Sequence, residues 1–300
     1  MEKIVSFIPV KLNNQRLPGK NVMNLNGKPL CDYIFQTIRR VSSIAEKYVY
    51  CSDDKIRKYI PDGLTFLKRD PYLDGYQIRG LEIIDYFVRD VDADIYVLAH
   101  ITQPFVRQES IEHALNKVIY DGYDSAFCIE LRDYCWYQRK PLNYDMQDIV
   151  VTQELEPVYQ ETGAFFIFRK EVFKNRRQRI GDNPYMEVVN SFEAVDIDTA
   201  EDFCFAEVTA KYLEEGRYNK FKQNLIKKIV KKLVGKQRYL ELRRWKMDVS
   251  LKKESKLVLL ENDCFQNQYK GKRCFILGNG PSLKDVDLSL LQDEYVFTSN

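Results

Sequence analysis

Apolar positions change their spacing repeatedly along the N-terminal two-thirds of the chain. Ile4 to Val10 is a nearly unbroken apolar run, short enough for a buried strand, and a polar loop rich in Asn, Gly, Pro and Lys follows it. From about Leu30 to Arg40 the apolar residues recur at helical spacing. Strand-like runs then stand at Lys47 to Cys51, Thr65 to Lys68, Asp94 to Ala99, Asp124 to Ile129, Gly163 to Phe168 and Ser191 to Val195. Helical stretches lie near Gly80 to Val91, Gln108 to Asp121 and Ala200 to Glu214. This alternation predicts an α/β domain with a mostly parallel sheet and helices on both faces. In such open sheets ligands bind beyond the carboxyl ends of the strands, which directs attention to the loops after Val10, Cys51, His100 and Val195.

Beyond about residue 215 the pattern changes. Phe221, Leu225, Ile226, Ile229, Val230 and Leu233 recur at helical spacing, with Lys222, Lys227, Lys228, Lys231 and Lys232 on the other face. A basic amphipathic helix from Lys220 to Lys232 fits a solvated linker or packing helix, or contact with a partner or an anionic membrane surface. Residues 216–269 read as a linker. From Lys270 the α/β pattern restarts, with strands at Arg273 to Leu277 and Tyr295 to Thr298 around the turn Gly278-Asn279-Gly280-Pro281-Ser282. A strand pair cannot bury a core, so 270–300 is expected to be the truncated start of a second α/β domain.

Composition narrows the classes. Lysine and arginine total 46 against 44 acidic residues, which gives no overall field for nucleic acid. The 7 cysteines include no Cys-x-x-Cys pair and the chain has 2 histidines, an unpromising set for a disulfide framework or a zinc site. The absence of a leader pattern and of a long apolar run sets the expectation of a cytoplasmic protein.

Two segments carry evident chemistry. Lys11-Leu12-Asn13-Asn14-Gln15-Arg16-Leu17-Pro18-Gly19-Lys20-Asn21 concentrates cations and amides after a buried strand, as holding a triphosphate requires, although a solvated turn has the same composition. Asp196 and Asp198 would share one face of a strand and present two hard carboxylates to a cation such as Mg²⁺. The alternative is that Asp198 caps the following helix, with Glu201 completing a capping box.

Ile8-Pro9 with the loop and Lys20-Asn21 resembles the N-terminal signature of the acylneuraminate (CMP-sialic acid and CMP-Kdo) cytidylyltransferase family. Ser52-Asp53-Asp54, Arg69-Asp70-Pro71, Thr102-Gln103-Pro104, Thr162-Gly163-Ala164 and Val195-Asp196-Ile197-Asp198-Thr199 are similar to its later elements, in the same order. The resemblance implies a nucleotidyltransferase-type, Rossmann-like sheet and Mg²⁺-dependent transfer of CMP from CTP to an acidic sugar of the nonulosonate type, with release of pyrophosphate. It implies nucleotide contacts by Pro9, Lys11, Asn14, Lys20, Asn21, Asp53 and Arg69, catalytic parts for Lys11, Lys20 and Asp198, and metal binding by Asp196 and Asp198. His100, Thr102, Gln103 and Thr162 fall where the acceptor is bordered, and His100 either orients a substrate carboxylate or hydroxyl, takes a proton, or is structural. Lys11 and Asn14 depart from the family's Arg and Ser, and His100, Gln103 and Thr162 depart from its acceptor-side residues. The departures leave open a non-sugar anionic acceptor, such as a phosphonate or alditol phosphate, and a non-catalytic nucleotide-binding scaffold. A homodimer through Asp133 to Val150 is a further expectation. Gly278 to Lys284 resembles the opening of bacterial sialyltransferases and of a pterin-pyrophosphokinase-like family.

Overall fold

The computed structural model describes residues 2–216 and, beyond them, the backbone of two short strands. The chain divides into two units, Met1–Tyr218 and Asn219–Asn300.

In the first unit β1 (Ile4–Val10) leads into the polar loop, a minor hairpin of β2 (Asn24–Leu25) and β3 (Lys28–Pro29), and α1 (Leu30–Arg40). Then come β4 (Glu46–Cys51), β5 (Thr65–Lys68), α2 (Gly80–Asp90), β6 (Ile95–Ala99), α3 (Gln108–Tyr120) and β7 (Ser125–Arg132). A second minor hairpin, β8 (Trp136–Tyr137) and β9 (Lys140–Pro141), precedes β10 (Val158–Arg169), α4 (Lys170–Arg176), β11 (Pro184–Val188) and α5 (Ala200–Glu214). The main sheet has 7 strands in the order β11-β7-β10-β6-β1-β4-β5. All neighbours run parallel except β10, which is antiparallel to both β6 and β7. In the second unit β12 (Cys274–Leu277) pairs in parallel with β13 (Tyr295–Thr298).

Period-two alternation divides β1 between two cores. Ile4, Ile8 and Val10 join the apolar faces of α1, α3 and α5 on one side of the sheet. Val5 and Phe7 face the other side, where α2 and α4 cover an aromatic cluster of Tyr50, Phe87, Tyr96, Phe166, Phe168 and Phe173. Phe7 stacks on Phe87 with ring centroids 4.1 Å apart, a contact worth about 1 kcal/mol beyond burial. Helices on both faces force the chain to cross over between parallel strands. After β5 it returns to the far side of β1 to form β6, and this change of direction opens a crevice between the ends of β1 and β6.

The structure departs from the hydrophobic pattern in three places. Ser191 to Val195 is a turn rather than a strand, because Asn190 Oδ1 accepts the N–H groups of Phe192 and Glu193 at 3.0 and 3.3 Å and curls the backbone. The edge strand there is β11 instead. The seven residues of α4 are too few to display a helical period, and β10 begins before Gly163, its polar first half paired with β7 ahead of a bulge. The basic helix Lys220 to Lys232, the linker and the Gly278 to Lys284 turn lie outside the described residues. No helix among the described residues is long and apolar enough to cross a membrane.

Candidate active site

A cleft of about 270 Å³ opens where the ends of β1 and β6 diverge. Phe7, Pro9 and Lys11 come to it from β1 and its following loop, and Leu98, His100, Ile101 and Thr102 from the end of β6. Lys20, Asn21 and Arg69 close one wall, and Ile83, Ile84 and Arg179 another.

The loop after β1 is fixed to the rest of the domain at both of its lysines. Lys11 Nζ donates to the Asp74 carbonyl and lies over the Tyr76 ring, 5.0 Å from its centroid. Lys20, almost fully buried, donates to the Ile197 carbonyl and to Asp198 Oδ1 at 3.0 Å. Arg16 reaches the other Asp198 oxygen at 2.9 Å from the solvent side. Between them Gly19 takes a left-handed conformation (φ 70°), which costs glycine little and turns Lys20 inward. Asn21 Nδ2 donates to the Lys11 carbonyl at 2.8 Å. These contacts hold both lysines in place, so their charges require little reorganisation to meet an anion.

Several buried polar atoms in this region find no protein partner: Asn14 Oδ1, Asn21 Oδ1 and Arg69 Nε. Leaving such groups unpaired costs about 1–3 kcal/mol each, which a polar ligand in the cleft would recover. Arg69 is buried to 1% exposure and is held by an ion pair from its Nη2 to Asp74 Oδ1. Asp74 also accepts from the Ser52 hydroxyl. Asp74 thereby ties together the loops after β1, β4 and β5, a role that a lone aspartate in a polar stretch does not advertise.

Asp196 and Asp198 follow the turn at 191–194. They make no strand ladder, yet Val195 and Ile197 are buried while the two aspartates face outward. The cap of α5 is Thr199, in a box with Asp202 whose bonds are 3.2 Å to the Thr199 hydroxyl and 2.8 Å from the Thr199 N–H. The capping alternative for Asp198 is thereby overturned. Asp196 keeps an exposed edge, but partial burial raises its carboxyl above the usual range; the Asp198 charge pushes the same way, and Thr102 and Lys20 oppose it. Carboxylate oxygens of this kind are hard ligands that suit a divalent cation. Among the described residues no cluster of three or more His, Cys, Asp or Glu side chains that could hold a metal ion is found.

His100 Nδ1 lies 2.6 Å from the Gly163 carbonyl, an acceptor, so Nδ1 carries the proton and Nε2 is the acceptor of a neutral ring. Burial lowers its pKa, the nearby Arg179 charge lowers it further, and the Gly163 carbonyl opposes both. The structure gathers Pro9, Lys11, Asn14, Lys20, Asn21, Arg69, His100 and Thr102 on the cleft. Asp53 stands apart, because its carboxylate caps the 3₁₀ turn Asp54–Tyr59 by accepting from Lys55 N at 2.9 Å. Gln103 is buried behind the wall and donates to the Thr162 carbonyl, tying the β6 loop to β10.

A family model described as cytidylyltransferase matches residues 5–233. The chain belongs to the cytidylyltransferase family. It is similar to the N-acylneuraminate cytidylyltransferase of Streptococcus agalactiae serotype V, 22% identical over 213 residues, which take in 67% of this chain and 52% of that protein. The chain therefore spans about half the length of that curated relative. It is also similar to the CMP-N,N'-diacetyllegionaminic acid synthase of Legionella pneumophila, 25% identical over 222 residues, covering 68% of this chain and 95% of that one. Among solved structures, CMP:2-keto-3-deoxy-manno-octonic acid synthetase complexed with CTP shares the fold at a TM-score of 0.54 and 18% identity, covering 71% of this chain and 99% of that chain. In this cytidylyltransferase, motif reading passes over Arg179, which lines the cleft, and Asp74, which holds Arg69 there.

Proposed function

We propose that the chain transfers CMP from CTP to the anomeric hydroxyl of an acidic sugar, with Mg²⁺, and releases pyrophosphate. The observation that carries this reading is a switch-point cleft in which fixed lysines, the inner one paired with Asp198, stand beside orphaned amide and guanidinium atoms. The names of the similar proteins, which concern acylneuraminate and legionaminic acid, support an acidic sugar as the acceptor class.

In this reading Asn14, Asn21 and Arg69 take the nucleoside, whose polar edge satisfies their unpaired atoms. Lys11, Arg16 and Lys20 hold the triphosphate. Their pocket, lined by Lys11, Asn14, Gln15, Arg16, Leu17 and Lys20, adjoins the cleft. The sugar oxygen forms a bond to the α-phosphorus while the bond from that phosphorus to the bridging oxygen breaks, and the pair of electrons leaves with pyrophosphate. Neutral His100 orients the hydroxyl through Nε2; its lowered pKa suits it to accept a hydrogen bond rather than store the proton, which passes to water. Asp196 and Asp198 would hold Mg²⁺, which when bound supplies charge to offset that on the phosphoryl oxygens. Catalysis is then chiefly positioning and electrostatics.

A homodimer is proposed through the excursion between β7 and β10, where Trp136, Tyr137, Leu142, Met146 and Ile149 are exposed. The enzymatic reading is tested by pyrophosphate release from CTP and Mg²⁺ with nonulosonate sugars, Kdo and non-sugar anions such as phosphonates, beside an Asp196→Asn control. Release with an acid sugar that the control abolishes is expected. Release with a non-sugar anion alone would replace the acceptor class, and CTP binding without turnover on any acceptor would favour a scaffold.

A further inference from the structure

Arg179 belongs to no sequence motif, yet it is built into the cleft. It sits in the connection between α4 and β11, and that connection is clamped. Gly181 N donates to the Ser125 hydroxyl at 2.8 Å, and Asp182 N and Asn183 N donate to Asp124 Oδ2 at 2.8 and 3.0 Å. Partial burial pushes the Asp124 carboxyl up, but these N–H groups and the Ser125 hydroxyl outweigh it and hold the carboxyl below its usual range. A Cβ on Gly181 would stand 2.3 Å from Asp124 Oδ2, so the close approach requires glycine. Ile180 packs into the aromatic core beside it.

The clamp lays the Arg179 guanidinium over the Phe166 ring, its Cζ 3.5 Å from the centroid. One amino group pairs with Glu161 Oε1 at 3.0 Å, and the fork has further N–H donors in its plane. Its side chain retains 30% exposure. His100 meets the same ring edge-on, with centroids 6.1 Å apart. A cation and a neutral hydrogen-bond acceptor are thus mounted on one aromatic side chain. The cleft extends in two directions that share no residue: into the Lys11, Arg16 and Lys20 pocket, and into a shallow recess reaching Arg79, Gln178 and Ile180 past Arg179. The triphosphate has its own cations on the first side, which leaves Arg179 for a different anion.

We infer that Arg179 is the acceptor-specificity residue: its guanidinium takes the carboxylate that a ulosonate-type sugar carries on its anomeric carbon. This rests on the function proposed above and identifies which group reads the acid. The carboxylate and the reacting hydroxyl sit on one carbon, and Arg179 and His100 sit on one ring. Glu161 tempers the charge and steadies the guanidinium between turnovers.

The test compares the acid sugar that the full chain turns over best with its carboxamide, which has the same shape without the charge. Wild type prefers the acid by about 10- to 100-fold in kcat/KM, the range of one charge-assisted bond pair. Arg179→Gln loses that factor for the acid only, so the preference collapses while the KM for CTP stays in place; Arg179→Lys recovers part of it. Glu161→Gln, which releases the guanidinium, lowers the KM for the acid. If Arg179→Gln slows acid and carboxamide equally, or leaves the preference intact, Arg179 is structural and the inference fails while the functional reading stands. If wild type turns over no carboxylate sugar at all, the functional reading fails and the inference falls with it. Calorimetric CTP binding by each variant verifies that the fold is retained.

Discussion

The two ends of the cleft are built in opposite ways. At the end proposed for the nucleotide the chemistry is contiguous in sequence: Lys11, Asn14, Arg16, Lys20 and Asn21 lie in one loop, and distant residues hold that loop through Asp74, Ile197 and Asp198. At the Arg179 end the chemistry is dispersed. Arg179 comes from the connection before β11, His100 from the end of β6, and Phe166 and Glu161 from β10, and a backbone clamp on Asp124 brings the arginine into place. A phosphate chain offers many equivalent oxygens and suits a single anchored loop with several cations. A lone carboxylate on a rigid ring requires one planar fork at a fixed place. Substitutions at the two ends should therefore disturb different kinetic constants.

The largest expected effect lies at the carboxylate pair. Asp198→Asn removes a charge that faces Lys20 and Arg16, and turnover is expected to fall by orders of magnitude while circular dichroism and thermal melting show a folded protein. Near-normal turnover would take Asp198 out of the reaction.

Asp74→Ala is next. It strips the buried Arg69 of its ion-pair partner and the Ser52 hydroxyl of its acceptor. Loss of about 3 kcal/mol or more of stability is expected in denaturant unfolding, because a buried charge is left uncompensated, and the KM for CTP should rise with it. A change confined to the acceptor KM would refute the division between the two ends.

Gly181→Ala acts at the other end. The added methyl drives Asp124 out of its clamp, so the acceptor KM should rise about 10-fold, as for loss of one charged hydrogen bond, with CTP binding unchanged. An unaltered acceptor KM would show that the clamp does not set Arg179.

The smallest effect concerns pH. His100 has a folded-state pKa depressed by burial, so the unfolded chain takes up its proton first as the medium is acidified. The neutral ring favours the folded state above the ordinary histidine pKa, and stability falls as pH drops through and below that value. His100→Gln should flatten this slope in a stability–pH series, and kcat should show no histidine titration between pH 7 and 8.

How far the sequence disclosed this arrangement differs between the same two ends. The first loop was legible because its cations are adjacent and follow an obvious strand. The β1 and β6 runs, almost wholly apolar, likewise disclosed the sheet centre. The pair Asp196 and Asp198 was found with the wrong local structure: Ser191 to Val195 has strand-like composition, but the Asn190 side chain turns the backbone, and alternation of buried and exposed residues persists without a ladder. Arg179 could not be picked from Arg176-Arg177-Gln178-Arg179, where any of the arginines has the look of a solvated surface charge. The available signal was the Gly181-Asp182-Asn183-Pro184 turn, which announces a tight connection into β11, but the Asp124 that receives it is far away in sequence. Asp53 shows the converse case, since a motif position turned out to cap a 3₁₀ turn.

The central claim is that CMP moves, within this one cleft, onto an acidic sugar. Phosphorus NMR of the full chain with CTP, Mg²⁺ and a nonulosonate sugar tests it most directly. A phosphodiester signal of a CMP-sugar is expected to grow together with pyrophosphate, and neither is expected to grow with Asp196→Asn. Growth of inorganic phosphate or CMP without the diester, or equal growth in the variant, would contradict it.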